Sequence, residues 1–198
     1  VMPGDILGYV TEEAAKATGL PVGTPVVATS NDKAVEGLGT GCMGDSTVCI
    51  SLGTYTSAMM EGKENLKGTS YAWPKFSCMP NKYLYDSNGI RRGMWTVSWY
   101  RDILGEGYAK LAKEQGMSPE EALGREAEKV PVGSDGLMTV LNWLANVDAR
   151  YQKGIMIGFD GRHTRGHIYR SILEAVAMTM KRHVTDMCNE VGTTINKL

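Results

Sequence analysis

Residues 46–60 read STVCISLGTYTSAMM. Val48, Ile50 and Leu52 alternate with Thr47, Cys49 and Ser51, a period of two that argues a strand with one face toward a core. Tyr55 to Met60 is strand-like again. The Gly53-Thr54 pair between the two runs is the signal of a two-residue type II′ hairpin. Beyond a loop holding Pro74 and Pro80, a further strand is expected near Lys82–Asp86, giving three consecutive antiparallel strands. After Gly93 the period lengthens. Trp95, Trp99, Ile103 and Leu104 sit a turn or more apart, marking a helix that Gly105 closes. Helices over 107–114 and 118–127 follow, the second opening on Ser118 and Glu121 as a capping box. Leu137–Trp143 reads as a buried strand. Thr164 to about Glu190 reads as a long helix with Ile168, Ile172, Val176, Met180, Val184 and Met187 on one stripe.

Upstream, Thr11 caps and Gly19 stops a short helix over EEAAKATG (12–19), and Pro25–Thr29 is an apolar run of the kind found in buried strands. A second helix starts near Asn31 or Asp32 and ends in the glycines at 37, 39 and 41. The order is therefore αβα, then βββ-α-(α)-β-α. Three antiparallel strands followed by alternating helix and strand is the order of the ribonuclease H-like unit of actin-type ATPases. The expected class is α/β, of that actin-like ATPase fold and truncated, because such a unit needs one more strand and helix. A start at Val1 within the turn-like Met2-Pro3-Gly4-Asp5 points the same way.

Composition removes several classes. Of 198 residues, 42% are hydrophobic and 22% charged, which fits a globular chain and excludes disordered, coiled-coil and collagen readings. With 21 basic and 22 acidic residues the net charge is −1, so no global field attracts a polyanion and nucleic acid is disfavoured as a partner. Cysteines at 42, 49, 78 and 188 form no CxxC pair, and a zinc knuckle or disulfide framework is not indicated. They read as reduced thiols of a cytoplasmic protein. No apolar run approaches the roughly 18 residues of a membrane span, and the N-terminus lacks the regions of a signal peptide. Glycine, with 24 residues, is the one excess, and implies tight turns and close backbone approach.

Asp32 follows the carboxyl end of a strand and lies in the first turn of a helix, where open α/β sheets place ligands and where the dipole favours a carboxylate. It could take a proton from a substrate hydroxyl, or Asn31 or Asp32 could merely cap the helix. Gly53-Thr54 could offer backbone N–H groups and a hydroxyl to phosphate oxygens, although most such hairpins bind nothing. Gly89 and Gly93 could admit a nucleotide close to backbone. His163 and His167 stand at i, i+4, but Arg162, Arg165 and Arg170 crowd them, which favours a structural helix start over a metal site. Arg170 and Glu174 read as a helix pair.

Taken in order, PGDILGYVTEEAAKATGLPVGTPVVATSNDKAVEGLGTG, GDSTVCISLGTYT, NGIRRGMWTVSWYRDILG and HTRGHIYRSILEAVAMTM resemble the FGGY carbohydrate kinases, nearest the xylulokinase-like branch, over nearly the whole chain. The resemblance implies phosphorylation of a sugar or polyol by ATP with magnesium, in a cleft between two actin-like domains. It implies Asp32 as general base, with magnesium also held there through water, Gly53 and Thr54 as phosphate contacts, and Gly93 as a nucleotide-side glycine. It assigns residues 1–42 to the end of the first, sugar-binding domain and 43–198 to the start of the second, nucleotide-side domain. Taken alone, such a piece is expected to be inactive and to self-associate as a homo-oligomer. The chain departs from the family pattern at Thr29, Ser30, Asn31 and Lys33 around the aspartate, at Tyr55 after Gly-Thr, and in the loop near Ala145–Gln152. The alternative reading is a non-catalytic relative that binds a sugar or nucleotide.

Overall fold

Helix boundaries follow from cap chemistry. The Thr11 hydroxyl accepts from the Ala14 N–H at 3.2 Å, and Gly19 closes the helix at a left-handed φ of 79°, which glycine adopts without penalty. The Ser118 side chain accepts from Glu121 N–H while the Glu121 carboxylate accepts from Ser118 N–H, so both halves of the capping box are formed. The computed structural model describes residues 1–44, 46–196 and 198. In chain order the elements are β1 (Ile6–Tyr9), α1 (Glu12–Thr18), β2 (Pro25–Val27), α2 (Asp32–Gly39), β3 (Val48–Leu52), β4 (Thr56–Gly62), β5 (Ala72–Phe76) and β6 (Tyr83–Ser87). They continue as α3 (Gly93–Ile103), α4 (Gly105–Glu114), α5 (Pro119–Glu128), β7 (Met138–Val140), β8 (Ile155–Ile157) and α6 (Arg165–Val191).

Two compact units are formed. One comprises residues 1–49, 59–86 and 188–198, and the other 50–58 and 87–187. In the first, β1 and β2 make an antiparallel ribbon, and Ala34 of α2 packs with Met59 of β4 and Leu84 of β6. Glu61, 2% exposed, would be costly there without a partner. Lys82 Nζ meets it at 2.6 Å, and Ser77 Oγ and Gly44 N–H donate to it. In the second unit, Val97 and Tyr100 of α3, Tyr108 and Ala112 of α4, Leu123 of α5, and Tyr169 and Ile172 of α6 form one core. The α6 stripe holds as read, with Ile172, Val176, Met180, Val184 and Met187 all buried.

The expected three-strand meander becomes a four-stranded sheet of order β3-β4-β6-β5. β6 pairs antiparallel with β4 as expected, Met59 opposite Asp86, and the additional strand β5 lies outside β6. Pro74 sits within β5, which the sheet tolerates because an edge strand has one row of N–H groups unpaired in any case. The runs expected as buried strands are short and exposed: Val26 and Val27 in β2, Met138 and Val140 in β7. Each belongs to a two-stranded ribbon, β1-β2 or β7-β8, so the apolar pattern is present without a covering layer within the chain. β1 falls just after the turn at Met2–Asp5 and was not expected from the pattern.

Candidate functional site

Asn31 and Asp32 divide the roles that the sequence left open between them. Asn31 has extended backbone and its side chain accepts from Ala34 N–H at 3.0 Å, so Asn31 is the cap of α2. Asp32 is the first helical residue, exposed, and its Oδ1 accepts from Lys33 N–H at 2.8 Å. The carboxylate is thus steered by one backbone donor in the first turn of a helix. Lys33 turns its ammonium to Glu36 at 3.5 Å.

Gly53, Thr54 and Gly93 come together in the second unit. Gly93 N–H donates to the Thr54 carbonyl at 2.9 Å and Met94 N–H to the Gly53 carbonyl at 3.2 Å. These are two of the four N–H groups that a helix start leaves without helical partners, so the loop caps α3 with its carbonyls. Among the described residues no intramolecular hydrogen bond engages the Thr54 N–H or its hydroxyl, and Thr54 is exposed. With the carbonyls committed to α3, the Thr54 N–H and hydroxyl are available to an anion.

The turn itself differs from the expected two-residue type. Three residues, Gly53 to Tyr55, link β3 and β4, and Gly53 lacks the positive φ that a type II′ turn requires at its first position. Tyr55 leaves the strand because its ring lies against Gly89, where a Cβ would overlap it, and Thr56 instead bridges to Ile90. Thr56 is a residue that pattern reading passed over. Its hydroxyl donates to the Gly53 carbonyl at 3.0 Å and occupies the space a Cβ on Gly93 would take. A second hydroxyl residue two positions after Thr54 was the available signal. Gly93 is thus required by the close approach of Thr56, whatever else it contacts.

The two histidines behave as a helix start. His163 Nδ1 accepts from Asp160 N–H at 2.8 Å, His167 Nδ1 accepts from Thr164 N–H at 3.1 Å, and His167 Nε2 pairs with Asp135 at 3.1 Å. No cluster of three or more His, Cys, Asp or Glu residues suited to a metal occurs among the described residues. Arg170 and Glu174 form the expected helix pair at 2.8 Å, and Glu174 also accepts from Gly133 N–H. All four cysteines are free thiols. Burial pushes Cys42 up to about 11, which keeps it protonated and unreactive.

No family model matches the chain. Individual proteins do. The uncharacterized sugar kinase YgcE of Escherichia coli (strain K12) is 52% identical over 191 residues, covering 96% of this chain and 39% of that protein. Xylulose kinase of Bacillus subtilis (strain 168) is 24% identical over 199 residues, covering 97% and 37%. The crystal structure of xylulose kinase from Rhodospirillum rubrum superposes with a TM-score of 0.78 at 27% identity, over 98% of this chain and 38% of that one. The chain belongs to the FGGY carbohydrate kinases. Its fold is the α/β actin-like ATPase fold of that family, and it spans under two fifths of the length of these relatives. No helix among the described residues is long and apolar enough to cross a membrane.

Proposed function

We propose that the protein carrying this chain is a cytoplasmic ATP-dependent kinase that phosphorylates a hydroxyl of a sugar or polyol, of the xylulose-like ketose class. In this reading residues 1–42 end a sugar-binding domain and 43–198 begin a nucleotide-side domain. Asp32 is the general base. Exposed in the first turn of α2, it takes the proton of the attacking hydroxyl, which then bonds to the terminal phosphorus as the ADP oxygen leaves. ATP supplies the phosphoryl group. The Thr54 N–H and hydroxyl hold phosphate oxygens, and Gly93 keeps that loop seated on α3. Magnesium bound with ATP needs only one or two protein carboxylates, and Asp32, through water, suits that part.

The observation that carries this reading is the Gly53-Thr54 loop, whose carbonyls are consumed by α3 while the Thr54 N–H and hydroxyl meet no acceptor among the described residues. Kinase names among the relatives supply the reaction class. The test is Asp32→Asn in the full-length protein, assayed with ATP and a panel of pentuloses and polyols. The substitution keeps the shape and removes the base, so kcat is expected to fall at least roughly 10²-fold with sugar affinity nearly unchanged. Turnover close to wild type would end the assignment of Asp32.

A further inference from the structure

The peptide unit that joins Gly53 to Thr54 carries both halves of the loop's chemistry. Its carbonyl accepts from two donors, the Met94 N–H at 3.2 Å and the Thr56 hydroxyl at 3.0 Å, which uses both of its lone pairs. Its N–H is that of Thr54, which meets no acceptor among the described residues. The peptide is trans and planar, so the two groups point in opposite directions. Whatever holds the Gly53 carbonyl therefore also aims the Thr54 N–H, away from Met94 and Thr56. The turn does not supply that aim by itself. None of Gly53, Thr54 and Tyr55 has a positive φ, so the loop lacks the built-in geometry of a primed hairpin turn and takes its shape from outside contacts.

Thr56 is itself fixed in place. Its N–H donates to the Ile90 carbonyl at 3.1 Å and its carbonyl accepts from the Ile90 N–H at 2.8 Å, so the backbone is held on both sides. The residue is 0% exposed, and its side chain fills the space that a Cβ on Gly93 would take. A β-branched side chain has few rotamers to choose from, and this packing selects one. A buried hydroxyl left without an acceptor is costly, and the Gly53 carbonyl is the acceptor this one has. All of these residues lie within the second unit.

We propose that Thr56 is a positioning residue for the nucleotide site: its buried hydroxyl holds the Gly53-Thr54 peptide so that the Thr54 N–H is presented to a phosphate oxygen. The inference rests on the reading of this loop as a phosphate contact, and adds to it a residue that is wholly buried and touches no ligand. What the hydroxyl contributes is preorganisation. A donor already aimed at the anion needs no reorientation when the anion arrives, and the affinity is not reduced by the cost of ordering it. Thr56→Val keeps the shape and removes the hydroxyl, which leaves the Gly53 carbonyl with the Met94 N–H alone. Thr56→Ser keeps the hydroxyl and removes a methyl group.

The test is calorimetric titration of the full-length protein with ATP and magnesium, for wild type, Thr56→Val, Thr56→Ser and Thr54→Val, with the melting temperature of each. Thr56→Val is expected to weaken ATP binding about three- to tenfold, the worth of one hydrogen bond, and Thr56→Ser to stay within about twofold of wild type. Both Thr56 variants are expected to lower the melting temperature, one through the lost hydrogen bond and the other through the lost methyl. Affinity that follows the hydroxyl and not the stability is therefore the mark of positioning. Equal weakening by Thr56→Val and Thr56→Ser would assign the effect to packing against Gly93 and overturn the proposal. Weakening by Thr54→Val with Thr56→Val at wild-type affinity would overturn the role of Thr56 and leave the phosphate loop standing. Wild-type affinity in both Thr54→Val and Thr56→Val, or no ATP binding by the wild type, would overturn the phosphate reading of the loop and this inference with it.

Discussion

Thr54 and Asp32 show how a single hydrogen bond decides what a neighbour is free to do. With Asn31 accepting the Ala34 N–H, Asp32 is released from capping, and with the Gly53 and Thr54 carbonyls accepting from α3, the Thr54 hydroxyl is released toward a ligand. Thr54→Val keeps the shape and removes that donor. The variant is expected to raise the KM for ATP more than that for sugar, by roughly 1.5 to 3 kcal/mol, the worth of a hydrogen bond to a charged group. Steady-state kinetics with each substrate varied in turn checks it, and a selective loss of sugar binding would sink the assignment. Asp32 was legible in the sequence because carboxylate, strand end and helix start coincide there. Its freedom from capping was not legible, since Asn and Asp are equally good caps and only the backbone angles separate Ncap from the first helical residue. Gly93 was legible as a glycine with a purpose, but the purpose seen in the fold is room for Thr56, a contact 37 positions away in sequence that no local pattern encodes.

At the scale of elements, helices were the readable part because their period, caps and stops agree. α1, α3, α5 and α6 begin and end within a residue or so of the expected positions. Strands were less readable. β5 carries a proline that argues against a strand unless its edge position is known, β1 and β8 are too short for alternation to register, and β7 was read from its apolar run but expected to be buried. What anchors edge strand β5 is also invisible locally. Glu190, in the last turn of α6, accepts from the N–H groups of Ser70, Tyr71 and Ala72 at 2.7, 2.7 and 2.8 Å. Burial by itself would raise the Glu190 pKa, but the three backbone donors outweigh it and hold the carboxylate below its usual range. A depressed carboxylate stabilises the fold fully above its unfolded pKa and ceases to do so as pH falls through the folded value. Glu190→Gln is therefore expected to lower the melting temperature at pH 7 by roughly 2 to 4 °C, the response to about 1 kcal/mol in a chain of this size. The difference from wild type should shrink as pH falls below about 4.5. A difference independent of pH between 7 and 3 would show that packing, and not the carboxylate, holds the junction.

For the whole molecule, the decisive quantity is how much of the family's length these 198 residues span, under two fifths of the relatives. A nucleotide on this chain has the Thr54 donors of one loop. Association costs an estimated 4 to 15 kcal/mol before any affinity appears, so a few hydrogen bonds from one loop leave ATP binding at Thr54 in the millimolar range or weaker. The 198-residue polypeptide is expected to lack sugar kinase activity when expressed as it stands. It is also expected to self-associate. β7 finds β8 as a partner, yet a two-stranded ribbon keeps an unpaired edge on each strand, and Met138, Val140, Ile155 and Ile157 are exposed on it. The β1-β2 ribbon exposes Ile6, Leu7, Val26 and Val27 in the same manner. Exposed apolar ribbons with free backbone donors and acceptors pair with copies of themselves when no other layer covers them. Sedimentation of the purified chain should show a dimer or larger species that dissociates on dilution, and Val140→Lys together with Ile155→Lys should shift it toward monomer. Phosphoryl transfer by the chain alone, or a monomer at high concentration before any substitution, would refute the corresponding half.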